Sequence, residues 1–185
     1  LTKDKLVLFT KGMHFPQKNY ITTQDGEFRN MEVTVLVDQN SASASEILAG
    51  ALQDWDKSIT VGRRTFGKGL VQHEIELPDR SAFRLTIARY YTPTGRCIQK
   101  PYSDSTDYGD DFAHRYVSGE LFNKDSIAKH DSLKFTTPGG KTVYASGGIT
   151  PDIFIPLDTS NTILLTKIAS TSIIRDASFE FIESN

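Results

Sequence analysis

The sequence predicts an α/β fold, and two adjacent segments carry this prediction. Met31–Val37 (MEVTVLV) is rich in β-branched residues and nearly continuous in apolar character, which is typical of a central strand covered on both faces. After a short polar stretch, the apolar residues between Ile47 and Leu52 recur at helical spacing. The strand therefore runs through a tight turn into a helix that begins near Ser43, which is the strand-then-helix order of an α/β protein.

The other elements are predicted from the spacing of their apolar residues, which differs between strands and helices. The helix is expected to end near residues 53–56, and residues 11–30 indicate a loop or a weak hairpin with a turn at Asp25–Gly26. Leu70–Leu77 and Ala82–Tyr91 alternate between apolar and polar residues around a short turn, so they predict an added β-hairpin. Shorter strands are predicted at Leu6–Thr10, Ser58–Val61, Thr142–Ala145 and Ile153–Ile155.

Two segments of the second half are less regular. Residues 101–146 are largely polar and are interpreted as an insertion, with one helix around Phe112–Phe122. Residues 160–185 show helical spacing of apolar residues and predict a C-terminal helical tail. No internal repeat or linker divides the chain, so residues 1–185 are expected to form one unit.

Composition argues against several classes of function. With 21 basic and 23 acidic residues the net charge is −2, which does not favour a partner such as nucleic acid. No apolar run reaches the roughly 18–20 residues of a membrane span. The single cysteine, Cys97, cannot form an internal disulfide, and the four histidines show no metal-ligand spacing, so no metal or cofactor is predicted. Because the chain begins at Leu1 rather than at methionine, we interpret it as a piece of a longer precursor.

Ser43 is the candidate nucleophile. It lies where the predicted strand gives way to the helix, so its hydroxyl stands clear of the sheet edge and faces the N–H groups of the first helical turn. Such groups stabilise the negative oxygen that acyl transfer creates, and the N–H of Ala44 is the candidate donor. The spacing from Ser43 to Glu46 is also that of an S-x-x-E capping box, and judged alone it is more often a helix cap.

Lys68 is the candidate general base. It lies between Gly67 and Gly69, and no acidic residue occurs from Arg63 to Gln72. A lysine accepts a proton only as the neutral amine, which requires burial against apolar groups and no neighbouring carboxylate. If the segment is already extended, Gln72 shares a strand face with Lys68 and can orient the amine. Judged alone, both residues are more often exposed on a loop and a strand surface.

Other chemistries have weaker support in the sequence. Gly62–Gly69 matches most of the phosphate-binding pattern G-x-x-x-x-G-K, but Gly69 stands where a P-loop has Ser or Thr, and a strand is predicted to follow. His73 would face the side of its strand opposite to Gln72, so a Ser-His pair is not indicated. Cys97 has no evident base beside it, so a thiol mechanism is unsupported.

Four blocks of residues resemble the carboxy-terminal processing proteases, a family also called tail-specific proteases. The nucleophile segment contains Ser-Ala-Ser-Ala-Ser at 41–45, and the lysine segment contains Thr-Phe-Gly-Lys-Gly at 65–69. The strand pair Leu85–Gln99 and the closing motif Gly148–Asp152 complete the match. The blocks occur in the family's order over about residues 31–156, which makes the resemblance specific.

This resemblance implies a site and a fold. It implies a serine endopeptidase that acts through an acyl-enzyme, with Ser43 as nucleophile, Lys68 as general base 25 residues later, and Gln72 as third member. The N–H of Ala44 would be one donor of the oxyanion hole. The implied fold is a core of stacked β-turn-α units like that of crotonase and of Clp protease subunits.

Two parts of the family pattern are absent from the sequence. The family's second oxyanion donor is a glycine in a D-x-R-x-N-x-G-G motif upstream of the serine, and no such motif precedes Ser43. The peptide-binding PDZ domain is also absent. We therefore expect residues 1–185 to be the C-terminal part of the catalytic domain, with little or no activity alone. The insertion is longer than in compact members of the family.

The resemblance also implies partners and a location. Unstructured C-terminal tails of proteins would be the substrates, and the cell envelope of a bacterium, on its periplasmic side, would be the location. An unpaired strand edge would favour a homo-oligomer. The competing hypothesis is a non-catalytic binding module, because retinoid-binding proteins that resemble these proteases use the same fold without a dyad.

Overall fold

The computed structural model describes residues 1–100, 110–127, 133–145 and 147–159, together with 168, 171–172, 176–177, 179–180 and 183. Strands and helices are both present, in agreement with the α/β prediction. Within the described ranges the elements are, in chain order, β1 Leu6–Lys11, β2 Lys18–Ile21, β3 Val33–Val37, α1 Ala44–Asp54, β4 Ser58–Gly62, β5 Leu70–Glu76, β6 Ala82–Tyr91, α2 Asp111–Val117, a 3₁₀ turn Lys124–Ser126, β7 Lys134–Thr136, β8 Thr142–Tyr144 and β9 Ile153–Phe154.

A three-stranded parallel sheet of order β3-β4-β9 contains the strand predicted over Met31–Val37, and α1 connects β3 to β4. In the described residues this strand, β3, lies at an edge of the sheet and β4 lies in the middle, so the prediction of a central position is wrong. β3 and β4 lie so close together at their ends that only a glycine fits at position 62. A Cβ placed on Gly62 would lie 1.8 Å from the Val37 carbonyl oxygen. Gly62 also has a φ of +131°, which other residues rarely adopt. The glycine therefore allows β4 to leave the sheet and enter the loop that carries Lys68.

A second, four-stranded sheet is antiparallel and has the order β2-β1-β6-β5. The predicted hairpin of β5 and β6 is confirmed, and the rings of Phe9 on β1 and Tyr91 on β6 stack with their centroids 4.9 Å apart. Residues 11–30 contain one complete strand, β2, which pairs with β1 across a loop at residues 12–17. The alternative of a hairpin within residues 11–30 that turns at Asp25–Gly26 is therefore wrong, and residues 22–30 form loop and turn.

The described part of the insertion contains more helix and strand than its composition predicts. α2 ends at Val117 rather than near Phe122, because Gly119 two residues later has a φ of +78° and ends the helix. β7 was not predicted; it pairs with β8 around the Pro138–Gly140 turn. Residues 101–109, 128–132 and 146 of the predicted insertion lie outside the described residues, as does most of the predicted tail, 160–185.

Polar side chains of α1 are buried as deeply as its apolar ones. Glu46 and Asp54 have no exposed surface, and Gln53 is 1% exposed. Asp54 pairs with Arg96, which is 2% exposed. Asp54 faces the chain between β6 and α2, Gln53 faces the closing motif, and Glu46 faces the loop that follows β4. Specific polar contacts therefore fix α1, in addition to packing.

The face of the parallel sheet that points away from α1 is exposed. Leu36, Ile59 and Ile153 expose 79%, 52% and 50% of their surfaces. Parallel sheets in proteins are normally covered on both faces.

In the part of the chain that is described, no helix is long and apolar enough to cross a membrane.

Candidate active site

Ser43 occupies the turn between β3 and α1. It is the N-cap of α1, and its φ of 58° and ψ of −115° lie outside the regions that residues with a Cβ normally occupy. Such a backbone costs about 1–3 kcal/mol and is found mostly at functional sites. The side chain is partly exposed. A serine on a strained strand-to-helix turn presents its hydroxyl at the surface, as an acyl-transfer nucleophile requires.

Glu46 connects the turn of Ser43 to the loop of Lys68. One carboxylate oxygen, Oε2, accepts hydrogen bonds from the backbone N–H groups of Ser43 (2.9 Å) and Lys68 (2.8 Å). The other oxygen, Oε1, accepts from the N–H of Gly67 (2.7 Å) and from the hydroxyl of Thr65. A single buried side chain therefore determines the separation of the two backbone segments that carry the candidate nucleophile and base.

The loop before Lys68 is also fixed from its other side. The Thr65 hydroxyl accepts a hydrogen bond from the N–H of Ile149 (2.6 Å), and the Thr65 N–H donates to the Ile149 carbonyl (3.1 Å). The Gly69 N–H donates to the Gln99 side-chain oxygen (2.9 Å). Two of the four blocks that resemble the protease family, the strand pair and the closing motif, thus contact the lysine loop.

The Lys68 side chain is exposed, so the apolar cover expected for a general base is not present around it. In the described part of the chain its amine makes no hydrogen bond to the Ser43 hydroxyl. The structure thus holds the two residues together through their backbones, by way of Glu46, and not through their side chains.

Gln72 and Ala44 occupy different surroundings. β5 begins at Leu70, so Lys68 precedes the strand, and a register shift separates Val71 from Gln72. Lys68 thus lies in the loop and Gln72 lies exposed on β5, so the two are not neighbours on one regular strand, and the role of Gln72 stays a prediction. Ala44 is exposed at the first position of α1, where an α-helix leaves N–H groups without partners inside the helix.

Only one of the contacts of Glu46 could be predicted from a local pattern. The S-x-x-E spacing predicts that its side chain accepts from the N–H of Ser43, and the structure confirms this contact. The three further contacts, to Thr65, Gly67 and Lys68, lie 19 to 22 residues away and have no local pattern. A strand, β5, follows the lysine loop, which agrees with the rejection of a P-loop.

Comparison with known proteins gives a consistent set of relatives. The sequence profile of peptidase family S41 matches residues 1–106. A carboxyl-terminal-processing protease of Picosynechococcus is 54% identical over 68 residues, which are 37% of this chain and 16% of the relative. The carboxyl-terminal-processing protease of Synechocystis is 42% identical over 98 residues, 52% of this chain and 22% of the relative. The chain thus matches less than a quarter of the length of these relatives.

A solved structure agrees with the sequence comparison. The photosystem II D1 C-terminal processing protease superposes with a TM-score of 0.55 at 25% identity, over 89% of this chain and 31% of that protein. Since the family profile covers more than half of the 185 residues, including Ser43 and Lys68, the chain belongs to peptidase family S41.

Proposed function

We propose that this chain supplies the serine and lysine of a serine endopeptidase that cleaves polypeptides near their C-termini. The proposal rests chiefly on one contact. A single oxygen of the Glu46 carboxylate, Oε2, accepts hydrogen bonds from the N–H groups of both Ser43 and Lys68. The strained backbone of Ser43 supports it, because helix capping alone does not require such strain. The relatives named as carboxyl-terminal-processing proteases supply the reaction class.

The proposed reaction has two halves. In the first, the neutral Lys68 amine takes the proton of the Ser43 hydroxyl while the oxygen attacks the scissile carbonyl carbon. The N–H of Ala44 donates to the negative oxygen that forms, and such a donor is worth about 3–4 kcal/mol. The ammonium then protonates the leaving amine, and an ester with Ser43 remains. In the second, Lys68 takes a proton from a water molecule while the water oxygen attacks the ester carbon. The bond from that carbon to the Ser43 oxygen then breaks, and Lys68 returns the proton to this oxygen, which restores the hydroxyl and the neutral amine.

Lys68 must lose its contact with water for this reaction. A hydrated lysine keeps its proton at neutral pH, whereas an amine surrounded by apolar groups loses it. The Lys68 side chain is exposed here, and we propose that further parts of a longer protein, or the bound substrate, cover it. We accordingly propose little or no activity for residues 1–185 alone. We propose that Gln72 orients the Lys68 amine only when the lysine is covered in this way.

Several finer points belong to the same proposal. We propose that β3, α1 and β4 are one β-turn-α unit of a crotonase-like core and that residues 1–185 are part of a longer catalytic domain. Unstructured C-terminal tails are the proposed substrates, and the periplasmic side of a bacterial cell envelope is the proposed location. A homo-oligomer is the proposed assembly. Fractionation and sedimentation of the full-length protein test the last two points.

The experiment compares serine and lysine variants of the full-length protein. We expect Ser43→Ala and Lys68→Ala to abolish cleavage of a peptide with an unstructured C-terminal tail, because each removes one partner of the proton transfer. Ser45→Ala and Lys134→Ala are matched controls, since both residues are exposed and lie outside the proposed chemistry. A fluorophosphonate should label Ser43 in the control variants.

Two outcomes would contradict the proposal. The first is full cleavage activity in the Ser43→Ala or Lys68→Ala variant. The second is tight binding of an apolar ligand by a protein that neither cleaves peptides nor reacts with the fluorophosphonate, which would favour a non-catalytic binding module.

A further inference from the structure

Within the described residues, the insertion contributes a buried arginine side chain to the loop that carries Lys68. Arg115 lies on α2 and is 3% exposed. Its guanidinium donates to three consecutive carbonyl oxygens, those of Arg64 (3.1 Å), Thr65 (2.9 Å) and Phe66 (3.1 Å). The next residues along the chain are Gly67–Lys68. The insertion thus contacts the proposed base through the backbone that immediately precedes it.

This contact constrains the shape of the loop. In an extended strand successive carbonyl groups point to opposite sides, so residues 64–66 must bend for all three to reach one group. A guanidinium suits this task because it is planar and carries five N–H donors in a fixed arrangement. A lysine amine at position 115 would be a point charge with freely rotating donors and could not reproduce the arrangement.

Acidic partners hold Arg115 itself in place. Asp111 lies one turn earlier on α2, and its carboxylate is 2.8 Å from Nε of Arg115. Glu120 lies 3.8 Å from Nη1 of Arg115 and binds Arg64 through both carboxylate oxygens, at 2.7 and 2.8 Å. Burial lowers the pKa of Arg115, and the charge of Arg64 adds to this effect, while Asp111 and Glu120 oppose it. The guanidinium remains charged in any case.

Two side chains of opposite charge therefore bind the loop: a carboxylate binds its backbone N–H groups, and a guanidinium binds its backbone carbonyl groups. The Glu46 carboxylate accepts from the N–H groups of Gly67 and Lys68, and the Arg115 guanidinium donates to the carbonyls of residues 64–66. The N–H of Lys100, which follows β6, donates to the Gly67 carbonyl at 3.0 Å. Loss of the Arg115 contacts would leave the carbonyls of residues 64–66, of which that of Thr65 is buried, without these donors and would release one side of the loop.

We propose that Arg115 is a positioning residue for the Lys68 base, supplied by the insertion 101–146. By fixing the carbonyls of residues 64–66, it keeps the N–H groups of Gly67 and Lys68 aimed at Glu46 and so maintains the distance from Lys68 to Ser43. Arg115 does not touch the reacting atoms. The inference rests on the proposed dyad, and it adds a role for a segment that no motif explains.

The test uses Arg115→Ala and Arg115→Lys in the full-length protein. We expect kcat for peptide cleavage to fall at least tenfold in both, with KM changed less than twofold, because the loop carries the base rather than a binding surface. Added guanidinium ions should partly restore kcat in Arg115→Ala. Arg84→Ala is the matched control. Arg84 is an exposed arginine that pairs with Glu74 on the β5–β6 hairpin, outside the lysine loop.

Amide hydrogen exchange gives a readout that does not depend on activity. Exchange at the N–H groups of Gly67 and Lys68 should accelerate in both Arg115 variants and remain unchanged in Arg84→Ala and Ser43→Ala. If Arg115→Ala fails to fold, the Arg115→Lys variant carries the test. Unchanged exchange and unchanged kcat in a folded Arg115 variant would overturn the inference. If instead Ser43→Ala leaves cleavage intact, the proposed function fails while the exchange result still decides whether Arg115 holds the loop.

Discussion

At the scale of single residues, Glu46 is a fully buried side chain that binds the backbone of both the proposed nucleophile and the proposed base. A buried carboxylate is costly unless its oxygens are hydrogen-bonded, and here both oxygens have two partners each. All four partners donate, so the site requires a group that only accepts. Ser43 is correspondingly more than a helix cap: its own N–H belongs to the same network, and its φ is positive.

We therefore predict that Glu46→Gln damages both stability and activity. The amide NH₂ of glutamine would face N–H and O–H donors, and an unmade buried hydrogen bond costs about 1–3 kcal/mol. Urea unfolding should show a loss of this size, and cleavage by the full-length protein should fall as well. Glu74→Gln is the control, because the Glu74 side chain is 56% exposed. Wild-type stability and cleavage in Glu46→Gln would contradict the prediction.

At the scale of the element, the lysine loop depends on a glycine in a crowded place. Gly67 has a φ of +87°, and a Cβ on it would lie 2.9 Å from the carbonyl carbon of Gly147 and 3.0 Å from Cβ of Lys100. Gly140, in the turn between β7 and β8, has nearly the same φ, +86°, but a Cβ on it would meet nothing within 4 Å. The two glycines thus share a backbone conformation and differ in packing.

This pair separates backbone strain from overpacking. We predict that Gly140→Ala lowers the free energy of unfolding by about 1–2 kcal/mol, the cost of a left-handed residue with a Cβ. Gly67→Ala should lose a further 1–3 kcal/mol or so, because its neighbours are backbone or tightly held. Denaturant unfolding of both variants measures the difference. Equal losses would show that the loop around Gly67 can relax.

Local patterns account for the elements that could be predicted. The β3–α1 unit and the β5–β6 hairpin follow from periodicity within 20 residues or so, and the structure confirms them. The β7 strand was missed because three residues in a polar segment give too short a pattern. The pairing of β1 with β6 and of β4 with β9 joins distant segments, and no local pattern encodes it.

The candidate site divides in the same way. Ser43 and Lys68 stand out through ordered motifs, and their assignment as nucleophile and base stays a prediction. The exposure of the Lys68 side chain could not be foreseen, since it depends on what surrounds the loop rather than on Phe66 and Leu70 nearby. Arg115 had no signal at all: its carbonyl partners lie 49 to 51 residues earlier, and it stands in an irregular polar segment.

At the scale of the whole molecule, a buried ion pair joins α1 to the chain after β6. Asp54 binds Arg96 with one oxygen, and its other oxygen accepts from the N–H (2.9 Å) and hydroxyl (2.7 Å) of Thr94. Arg96 also donates to the Gln53 side chain at 3.0 Å. Burial lowers the pKa of Arg96, and the Asp54 charge opposes that effect. The pair therefore depends on both partners being present.

We predict that Asp54→Ala is among the more destabilising single changes, at about 3–5 kcal/mol, because it leaves the Arg96 charge buried and unpaired. The exposed pair of Arg84 and Glu74 is the comparison, and Glu74→Ala should cost no more than about 1 kcal/mol. Thermal or urea unfolding checks both. Similar losses in the two variants would mean that Arg96 finds other partners or water.

The way in which the lysine loop is held bears on how the sequence can diverge. Apart from the Thr65 hydroxyl, the contacts that Glu46 and Arg115 make with residues 64–68 are to main-chain atoms. Every amino acid except proline offers the same N–H and C=O groups. Substitutions at loop positions other than Thr65, Gly67 and Lys68 can therefore accumulate while its path is kept, provided that the carboxylate on α1 and the guanidinium on α2 are inherited together.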